Sequence, residues 1–520
     1  MSQSSFVKGT IILTIATLTS KVLGSVFRIP LQNIAGDEVL GIFNLVYPVY
    51  MVALILSVAG LPLAISKLIS EARAKEDNSS IRDIYLAASI LAVLFGIVSF
   101  TLIFSYSNEI ANMLGGESTR LALIIVASTL LFAPYMAIYR GYFQGFEEMK
   151  QTAISQVIEQ FVRAVLIIGI AYFLVQQNYT DEKIAGGIMV GSVVGVLVAL
   201  LFLRISYKRS SLQITPSDTF SLKRFIKSCK KILSISIPIA VGSITMALFN
   251  AVDSFTVSYA LRSIGISTDA VNYWFGIYSR GLTLVQIATV FATSIVLPIV
   301  PLISSKLAKK DIKGTRLIIE RTHEMTHIIS WPVATGLLAL TLPLNLALFT
   351  NLEGSTMLAI IGFSSIFTSL TLIGTGVLQG INLAKTAASI IIGGVFLKIV
   401  TNILFIKLFG LDGAAISTLL VYFIIFIANT IVIWKNIKIS VFQMNKIKVI
   451  LASILVGILI GLPSWMINFS EWNRLLALFY IFIASLLGVA IYLSVLLLLK
   501  VIDTNSIKEL LTKSIGKGEF

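Results

Sequence analysis

Two permanent cations, Lys21 and Arg28, stand seven residues apart inside an otherwise apolar run that extends over residues 11–35. A charge at the centre of a bilayer helix costs about 3 kcal/mol on insertion scales. At about 100° per residue, positions seven apart point in nearly the same direction. The spacing therefore favours a water-filled cavity that both side chains face. The alternative is that each long side chain reaches the membrane interface, which accounts for one cation better than for two.

Four more basic residues and two acidic ones fall within apolar runs. These are Arg140, Arg163, Arg280, Lys398, Glu159 and Asp253. Glu159 and Arg163 are four residues apart with the acid first, an order that favours an ion pair on one helix face. That pair fits either a structural role or a place in a functional site. Arg140 lies near a helix end, where its side chain can reach the interface.

The remaining cations, at positions 21, 28, 280 and 398, have no evident acidic partner in the sequence. A cavity with surplus positive charge in a low dielectric favours an anion. Arginine offers phosphate a planar fork of donors, and lysine offers a point charge. The sequence therefore predicts an anion-binding cavity. The candidate binding residues are Lys21, Arg28, Arg163, Arg280, Lys398 and Glu159.

A second constellation, over residues 323–327, suggests a different chemistry. It reads His-Glu-Met-Thr-His and fits the H-E-x-x-H pattern of zinc proteases, while Asp412 lies in a Leu-Asp-Gly sequence like a third-ligand motif. The predicted topology places the histidines at the cytoplasmic side and Asp412 at the outer side, about 30 Å away. Zinc ligands must lie about 2 Å from the metal. We therefore predict no metal site and interpret the motif as a polar helix start.

The elements that position these residues are membrane helices. The 520 residues are 57% apolar and 12% charged, and the mean hydropathy is +0.93. Soluble domains carry about 25% charged residues, so the composition excludes a soluble protein. Fourteen apolar runs are long enough to span a bilayer. They cover residues 8–35, 40–70, 81–107, 118–145, 151–177, 184–206, 230–261, 271–304, 320–349, 355–382, 386–409, 412–435, 447–469 and 474–500.

The distribution of charge orients these predicted helices. Of the 40 basic residues, 29 fall in the tails and in one set of alternate loops, and five fall in the other set. The positive-inside rule places the richer set, and both termini, in the cytoplasm. This also accounts for most of the net charge of +15, so no nucleic acid is expected as a partner.

The chain repeats itself at an offset of 235 or 236 residues. Leu-Pro-Leu at 61–63 recurs as Leu-Pro-Ile at 297–299, Gln-Gly at 144–145 recurs at 379–380, and Arg163 has its counterpart in Lys398. Two parallel six-helix lobes related by a pseudo-two-fold axis along the membrane normal would explain the repeat. We predict a first lobe over 1–206, a cytoplasmic linker over 207–228, a second lobe over 229–436, and two further helices with a tail over 437–520.

Together, the helix count, the two halves and the early basic pair resemble the multidrug/oligosaccharidyl-lipid/polysaccharide exporter superfamily. The sequence Lys-x-Leu-Gly-x-x-x-Arg over 21–28 is similar to its polysaccharide-export branch, which contains stage V sporulation protein B and the MurJ-type lipid II flippases. Residues 279–294, with Ser-Arg-Gly, Leu-Val-Gln and Ala-Thr-Ser, are similar to the eighth helix of that branch.

The resemblance implies a bacterial plasma-membrane transporter, not an enzyme, for an undecaprenyl-diphosphate-linked sugar. It implies that Lys21, Arg28 and Arg280 bind the diphosphate, and that Asp253 is a possible sodium site. The second acid expected at such a sodium site would fall near Gly380, which is not acidic. We therefore expect no cofactor and take the membrane potential as the driving force. Cell-wall synthesis proteins are possible partners.

Three alternatives remain for the function. The chain could be a lipid II flippase for peptidoglycan synthesis, or a flippase for another lipid-linked glycan of a capsule, a teichoic acid or a spore cortex. It could also be a multidrug/cation antiporter of the same superfamily. A cation antiporter is expected to have acidic residues in its cavity, whereas the predicted cavity here is basic.

Overall fold

The computed structural model describes residues 3–58, 60–210, 212, 221–440 and 444–502. Within these ranges the chain forms nineteen α-helices joined by short turns, with no β-strand. The helices are α1 (Gln3–Val26), α2 (Arg28–Val58), α3 (Leu61–Arg73), α4 (Asn78–Ser105), α5 (Ser107–Met113), α6 (Arg120–Ser128), α7 (Ala133–Gly145), α8 (Met149–Gln176), α9 (Asp181–Arg209), α10 (Leu222–Ser263), α11 (Thr268–Ala288), α12 (Val290–Ala308), α13 (Ile312–Ala339), α14 (Thr341–Phe349), α15 (Ser355–Gly380), α16 (Ala384–Phe409), α17 (Leu411–Ile437), α18 (Met444–Met466) and α19 (Arg474–Leu498).

The prediction of an all-helical, polytopic membrane protein is confirmed. Over the described residues, eleven helical runs are long and apolar enough to cross a membrane, or twelve when the bent pair α13 and α14 counts as one span. By this criterion residues 12–73 form one run of 62 residues, where the sequence predicts two spans, and neither α10 nor α11 qualifies. The number fourteen therefore stays a prediction.

Several predicted spans are interrupted in the structure. The run predicted over 8–35 breaks at Phe27, between α1 and α2, and the backbone leaves helical geometry again at Gly36, with φ 81° and ψ 178°. The positive φ at Gly36 suits a residue without a Cβ and marks the predicted boundary between the first two spans. The run predicted over 320–349 bends by 77° between α13 and α14. Pro343, which has no N–H to donate, follows that bend.

The helices form two compact units. One contains residues 1–279 and 391–414, and the other contains residues 280–390 and 415–520. In the first unit, α8 packs along α1 and α9, and α2 packs against α10. In the second unit, α13 packs against α15 and α18, and α14 and α18 pack against α19. The division of the sequence into the predicted lobes, 1–206 and 229–436, stays a prediction. Of the predicted linker, residues 211 and 213–220 lie outside the described residues.

Two glycines on α9 bring its backbone against the polar part of α8. A Cβ on Gly195 would lie 2.8 Å from the carbonyl oxygen of Glu159, and one on Gly191 would lie 3.1 Å from that of Arg163. Both distances are shorter than ordinary van der Waals contact, so only glycine fits without a shift. This close crossing fixes the position of α8 where it carries its charged residues.

Candidate functional site

Lys21 and Arg28 lie on different helices, because the first span breaks between them. α1 ends at Val26 and α2 begins at Arg28. The prediction that both project from one continuous helix is therefore wrong, and the angular argument from their spacing does not extend across the break. Lys21 is exposed and forms no ion pair within the described chain, and Arg28 is half-buried.

The polar face of α8 lies against α1 near Lys21. The Thr17 hydroxyl donates to the Gln156 side-chain oxygen at 3.0 Å, and a Cβ on Gly24 would lie 3.2 Å from the corresponding oxygen of Gln160. Gln156 and Gln160 are one helical turn apart and so share a face of α8. The helix face beside Lys21 is therefore polar, as a cavity wall requires, although it lies within the membrane span.

An aromatic stack connects Arg28 to Arg163. The Arg28 guanidinium lies 5.9 Å from the ring centre of Phe43, within cation–π range. Phe43 stacks on Tyr47 with ring centres 5.2 Å apart and an interplanar angle of 14°. The Tyr47 hydroxyl accepts a hydrogen bond from Nη1 of Arg163 at 3.2 Å. Two guanidinium groups are thus held along one aromatic pair of α2, which sequence reasoning did not identify as part of the site.

Glu159 is shared by two arginines. Its Oε1 lies 2.9 Å from Nη2 of Arg163, and its Oε2 lies 2.8 Å from Nη2 of Arg140. The predicted pair on α8 is therefore present. The Arg140 guanidinium also has a charged partner in Glu159, which the sequence did not indicate, and its position relative to the membrane interface stays a prediction. One carboxylate between two guanidinium groups leaves this buried cluster with net positive charge.

Lys398 has an acidic partner, contrary to the expectation from sequence. Its Nζ lies 3.2 Å from Oδ1 of Asp253, and the two side chains are 1% and 4% exposed. Asp253 belongs to α10 and Lys398 to α16, so their 145-residue separation hid the pair from pattern reasoning. Asn402, one turn after Lys398, also donates to Asp253 at 2.8 Å. Asn402 lies four residues after Lys398, on the same helix face, and this spacing was the signal by which the sequence could have identified it as part of the site.

Arg280, in the second unit, is fully buried and bound to two asparagines. Its Nη1 donates to the side-chain oxygens of Asn345 at 3.1 Å and Asn351 at 2.7 Å, and its guanidinium lies 5.4 Å from the ring centre of Phe349. These residues form the end of α14 and the turn that follows. In this conformation Arg280 therefore holds that turn in place, and its predicted part in anion binding stays a prediction.

Two residues of the protease-like motif on α13 have ordinary structural partners. Nδ1 of His327 accepts a hydrogen bond from the Trp331 indole at 2.9 Å, and Glu324 accepts one from Asn445 at 3.0 Å. Among the described residues, no three His, Cys, Asp or Glu side chains lie where they could hold one metal ion. The interpretation of the motif as a helix start is wrong, because α13 begins at Ile312, eleven residues before His323. Through Glu324 the motif contributes to packing between α13 and α18.

Known proteins resemble this chain over most of its length. A family model described as "Polysaccharide biosynthesis protein" matches residues 6–306. The chain is 31% identical over 412 residues to the uncharacterized membrane protein YabM of Bacillus subtilis (strain 168), covering 79% of this chain and 76% of that protein. It is 26% identical over 519 residues to the lipid II flippase MurJ of the same strain, covering 94% of each.

Solved structures show the same fold. The lipid II flippase MurJ in an inward closed conformation matches with a TM-score of 0.69 and 17% identity, covering 93% of this chain and 98% of that one. An inward-facing multidrug resistance MATE family transporter of the MOP superfamily matches with a TM-score of 0.68 and 14% identity, covering 80% and 94%. The family model confirms the resemblance to a polysaccharide-export family, and the solved structures show that the fold is shared with MurJ and the MATE transporter.

Proposed function

The chain belongs to the polysaccharide biosynthesis protein family, and from this premise we propose that it is a flippase for an undecaprenyl-diphosphate-linked sugar precursor. We take lipid II of peptidoglycan synthesis as the substrate, carried from the inner to the outer leaflet of the bacterial plasma membrane. The observation that carries the proposal is the cationic cluster in the first unit. There, Arg28 and Arg163 lie along one aromatic pair, and one carboxylate serves both Arg163 and Arg140.

The chemistry of this cluster suits a diphosphate. Arginine binds phosphate oxygens through two parallel N–H donors, and such charge-assisted bonds are about twice as strong as neutral ones. The low dielectric of a membrane interior strengthens the attraction further. Lys21 adds an exposed cation beside the polar face of α8, where a mobile point charge can meet the headgroup. The relative MurJ is named for lipid II, which supports this choice of substrate.

An apolar groove in the second unit suits a polyprenyl tail. It lies between α18 and α19, has a volume of about 310 Å³, and is bordered by Pro463, Trp472, Phe479 and Tyr480 together with aliphatic side chains. Inside a bilayer, where lipid tails are as apolar as the groove, such a tail would be held by van der Waals packing. The tail can therefore stay in contact with the protein and lipid while the charged headgroup enters the cationic cluster.

Alternating access would carry the headgroup across, with both termini in the cytoplasm as the loop charges require. A diphosphate moving outward carries negative charge in the direction that an inside-negative potential favours. Each elementary charge gains about 2.3 kcal/mol per 100 mV. The membrane potential is therefore the proposed driving force, and no cofactor is needed.

A flippase for another lipid-linked glycan is the second candidate. The family description names polysaccharide biosynthesis without restricting the sugar, and the cationic cluster would hold the diphosphate of any undecaprenyl-linked glycan. A multidrug/cation antiporter fits less well, because a cluster with net positive charge repels cationic drugs.

Depletion of the protein in its native host tests the proposal. On depletion, lipid II should accumulate in the inner leaflet, and mass spectrometry of extracted lipids identifies the intermediate. Accumulation of a different undecaprenyl-linked glycan would favour the second candidate, and no accumulation of any such lipid would overturn both.

Reconstitution is the matching experiment in vitro. Proteoliposomes should translocate labelled lipid II when a potential is imposed with potassium and valinomycin, and translocation should stop when the potential is dissipated at constant sodium. Translocation that follows a sodium gradient at zero potential would contradict the proposed driving force.

A further inference from the structure

The buried carboxylate of Asp253 is surrounded by groups that satisfy both of its oxygens. Oδ1 lies 3.2 Å from Nζ of Lys398 and accepts from Nδ2 of Asn402 at 2.8 Å, and Oδ2 accepts from the Tyr278 hydroxyl at 3.0 Å. An isolated carboxylate at this depth would be very costly to bury. The lysine ammonium therefore supplies the charge that allows Asp253 to lie there.

Oxygen atoms of the kind that bind a small cation surround the same place. Nδ2 of Asn402 also donates to the Thr256 hydroxyl oxygen at 2.8 Å, so Thr256 lies beside the carboxylate. Oδ1 of Asn402 is buried and has no hydrogen-bond partner in the described part of the chain. Carboxylate, hydroxyl and amide oxygens are the ligands that hard cations prefer. With a rotated Asn402 amide, this pocket would offer a monovalent cation three oxygen ligands.

The resemblance stated above implies a sodium ion near Asp253, but the residues present do not fit one. A lysine ammonium lies within ion-pair distance of the carboxylate and is 1% exposed. Lys398 and Asn402 already share Oδ1 and Tyr278 binds Oδ2, so a sodium ion at this carboxylate would lie close to the ammonium and be repelled by it in a low dielectric. A free sodium ion would therefore have to displace Lys398, whose side chain is almost completely buried.

We propose that the Lys398 ammonium is a tethered cation that occupies the position at Asp253 which a free monovalent cation would otherwise take, so this chain binds no sodium there. The charge at this position is fixed by a covalent side chain and does not exchange with the solution. A sodium gradient consequently cannot drive transport through ion binding at Asp253. This inference depends on the pair alone and holds whichever lipid-linked glycan is carried.

Thermal unfolding of the purified full-length protein tests the proposal. The wild-type protein should unfold at the same temperature in sodium, potassium and choline chloride at equal ionic strength. Lys398→Met keeps the length of the side chain and removes its charge, so it should be less stable than wild type in choline. Its unfolding temperature should rise saturably with sodium, because binding to the folded state stabilises it by mass action. Lys398→Met combined with Asp253→Asn should lose the sodium response.

Arg163→Met provides a matched control, since Arg163 is the counterpart of Lys398 in the repeat and Glu159 keeps Arg140 as its partner. It should show no specific response to sodium. A sodium-specific rise in the wild-type protein that disappears in Asp253→Asn would overturn the proposal. A folded Lys398→Met protein without any sodium response would overturn it as well.

If Lys398→Met cannot be purified, equilibrium binding of radioactive sodium to the wild-type protein still tests whether sodium binds at Asp253. Absence of saturable binding supports the proposal. Stoichiometric binding that is lost in Asp253→Asn contradicts it.

Discussion

Arg140 lies 2.8 Å from Glu159, although the two residues are nineteen positions apart and belong to different helices. The contact joins α7 to α8 across the turn between them, and the second oxygen of the same carboxylate binds Arg163. Glu159 is 8% exposed, so the three charges are largely out of solvent. A single carboxylate therefore holds two guanidinium groups in place at the centre of the candidate site.

Removing that carboxylate should destabilise the first unit. Glu159→Gln leaves two buried guanidinium groups without a counter-charge, and loss of one partner from a buried ion pair typically costs about 3–5 kcal/mol. We expect a clear fall in the unfolding temperature of the detergent-solubilised protein. Glu148→Gln is a matched control, because Glu148 precedes the same helix and its side chain makes no capping bond. Equal unfolding temperatures for the two variants would show that the cluster contributes nothing to stability.

The close approach of α2 and α11 should depend on glycine. A Cβ on Gly276 would lie 1.9 Å from the carbonyl oxygen of Asp37, and one on Gly41 would lie 1.8 Å from that of Asn272. Both contacts are with backbone, which cannot rotate away as a side chain can. Overpacking of this kind typically costs about 1–3 kcal/mol. Gly276→Ala should therefore lower the unfolding temperature.

Gly169→Ala is the control for that variant, since nothing lies within 4 Å of an added Cβ at this position of α8. Alanine in an open helical position should stabilise by about 0.5–1 kcal/mol. If both substitutions change stability in the same direction and by similar amounts, the crossing of α2 and α11 is not constrained by the absence of a side chain.

The sequence predicted the long, uninterrupted spans well because hydrophobic length depends on local composition alone. The runs predicted over 151–177, 355–382 and 474–500 differ by only a few residues from α8, α15 and α19. The same approach also found the Glu159–Arg163 pair, whose spacing of four is visible on one helix. It missed the breaks at Phe27 and Thr289, where no proline or glycine stands at the break itself to signal it.

Pairs between distant helices could not be found in this way. The Asp253–Lys398 pair and the role of Tyr47 between Arg28 and Arg163 arise from helix packing, which a single sequence does not specify. The positions at offset 235, Arg163 and Lys398, both proved to be paired with an acid. The acid comes from the same helix in one case and from α10 in the other, because the counterpart of Glu159 is Gly394.

The start of α4 should show a pH-dependent contribution to stability. Asp77 caps this helix outside the membrane span, accepting bonds from the Ser80 amide at 2.9 Å and from the hydroxyls of Ser80 and Ser79. The Ser80 hydroxyl first, and then these other donors, lower the pKa of the Asp77 carboxyl from 3.8 to about 2. Since the folded pKa is depressed, the charged cap stabilises fully above pH 3.8 and loses this effect as pH falls through about 2.

Asp77→Ala should therefore cost about 1 kcal/mol near neutral pH, a typical value for loss of a helix cap. The difference in unfolding temperature between this variant and the wild type should narrow as the buffer is made more acidic than pH 3.8. Asp77→Asn keeps an uncharged acceptor and should retain part of the cap at every pH. A wild-type advantage that stays constant into strong acid would contradict the assigned pKa shift.

The predicted orientation can be tested by labelling single cysteines from outside the cell. In a background with Cys229→Ser, a cysteine at Asp412, which opens α17, should react with an impermeant maleimide. A cysteine at Ser217, in the basic loop and outside the described residues, should react only after permeabilisation. The reason is the excess of Lys and Arg in the loops assigned to the cytoplasm. The reverse pattern would invert the topology and with it the direction of transport.

The cationic residues should bind the substrate. Measuring the unfolding temperature of each variant distinguishes a residue that only binds from one that also stabilises the fold. Lys21 is exposed and makes no ion pair in the described chain, so Lys21→Ala should leave the unfolding temperature unchanged and weaken binding of the lipid-linked diphosphate. Arg28→Ala should weaken it more, by about 10- to 100-fold, since hydrogen bonds to charged groups contribute about 1.5–3 kcal/mol. Arg28→Lys should restore binding only in part, because a point charge replaces a planar fork.

Arg280 is fully buried, so its substitution should lower stability as well as impair transport, unlike that of Lys21. Arg280→Ala removes the donor to Asn345 and Asn351, so it should destabilise the turn after α14 as well as abolish complementation of a depleted host. Lys183→Ala controls for charge alone, because Lys183 is exposed near the start of α9, where it lies 5.8 Å from the Tyr179 ring. Binding and flipping should be normal in that variant, and binding by the wild type should weaken with added salt. Normal flipping in both Arg28→Ala and Arg280→Ala would mean that these cations serve only the structure, and that the proposed function has lost its anion site.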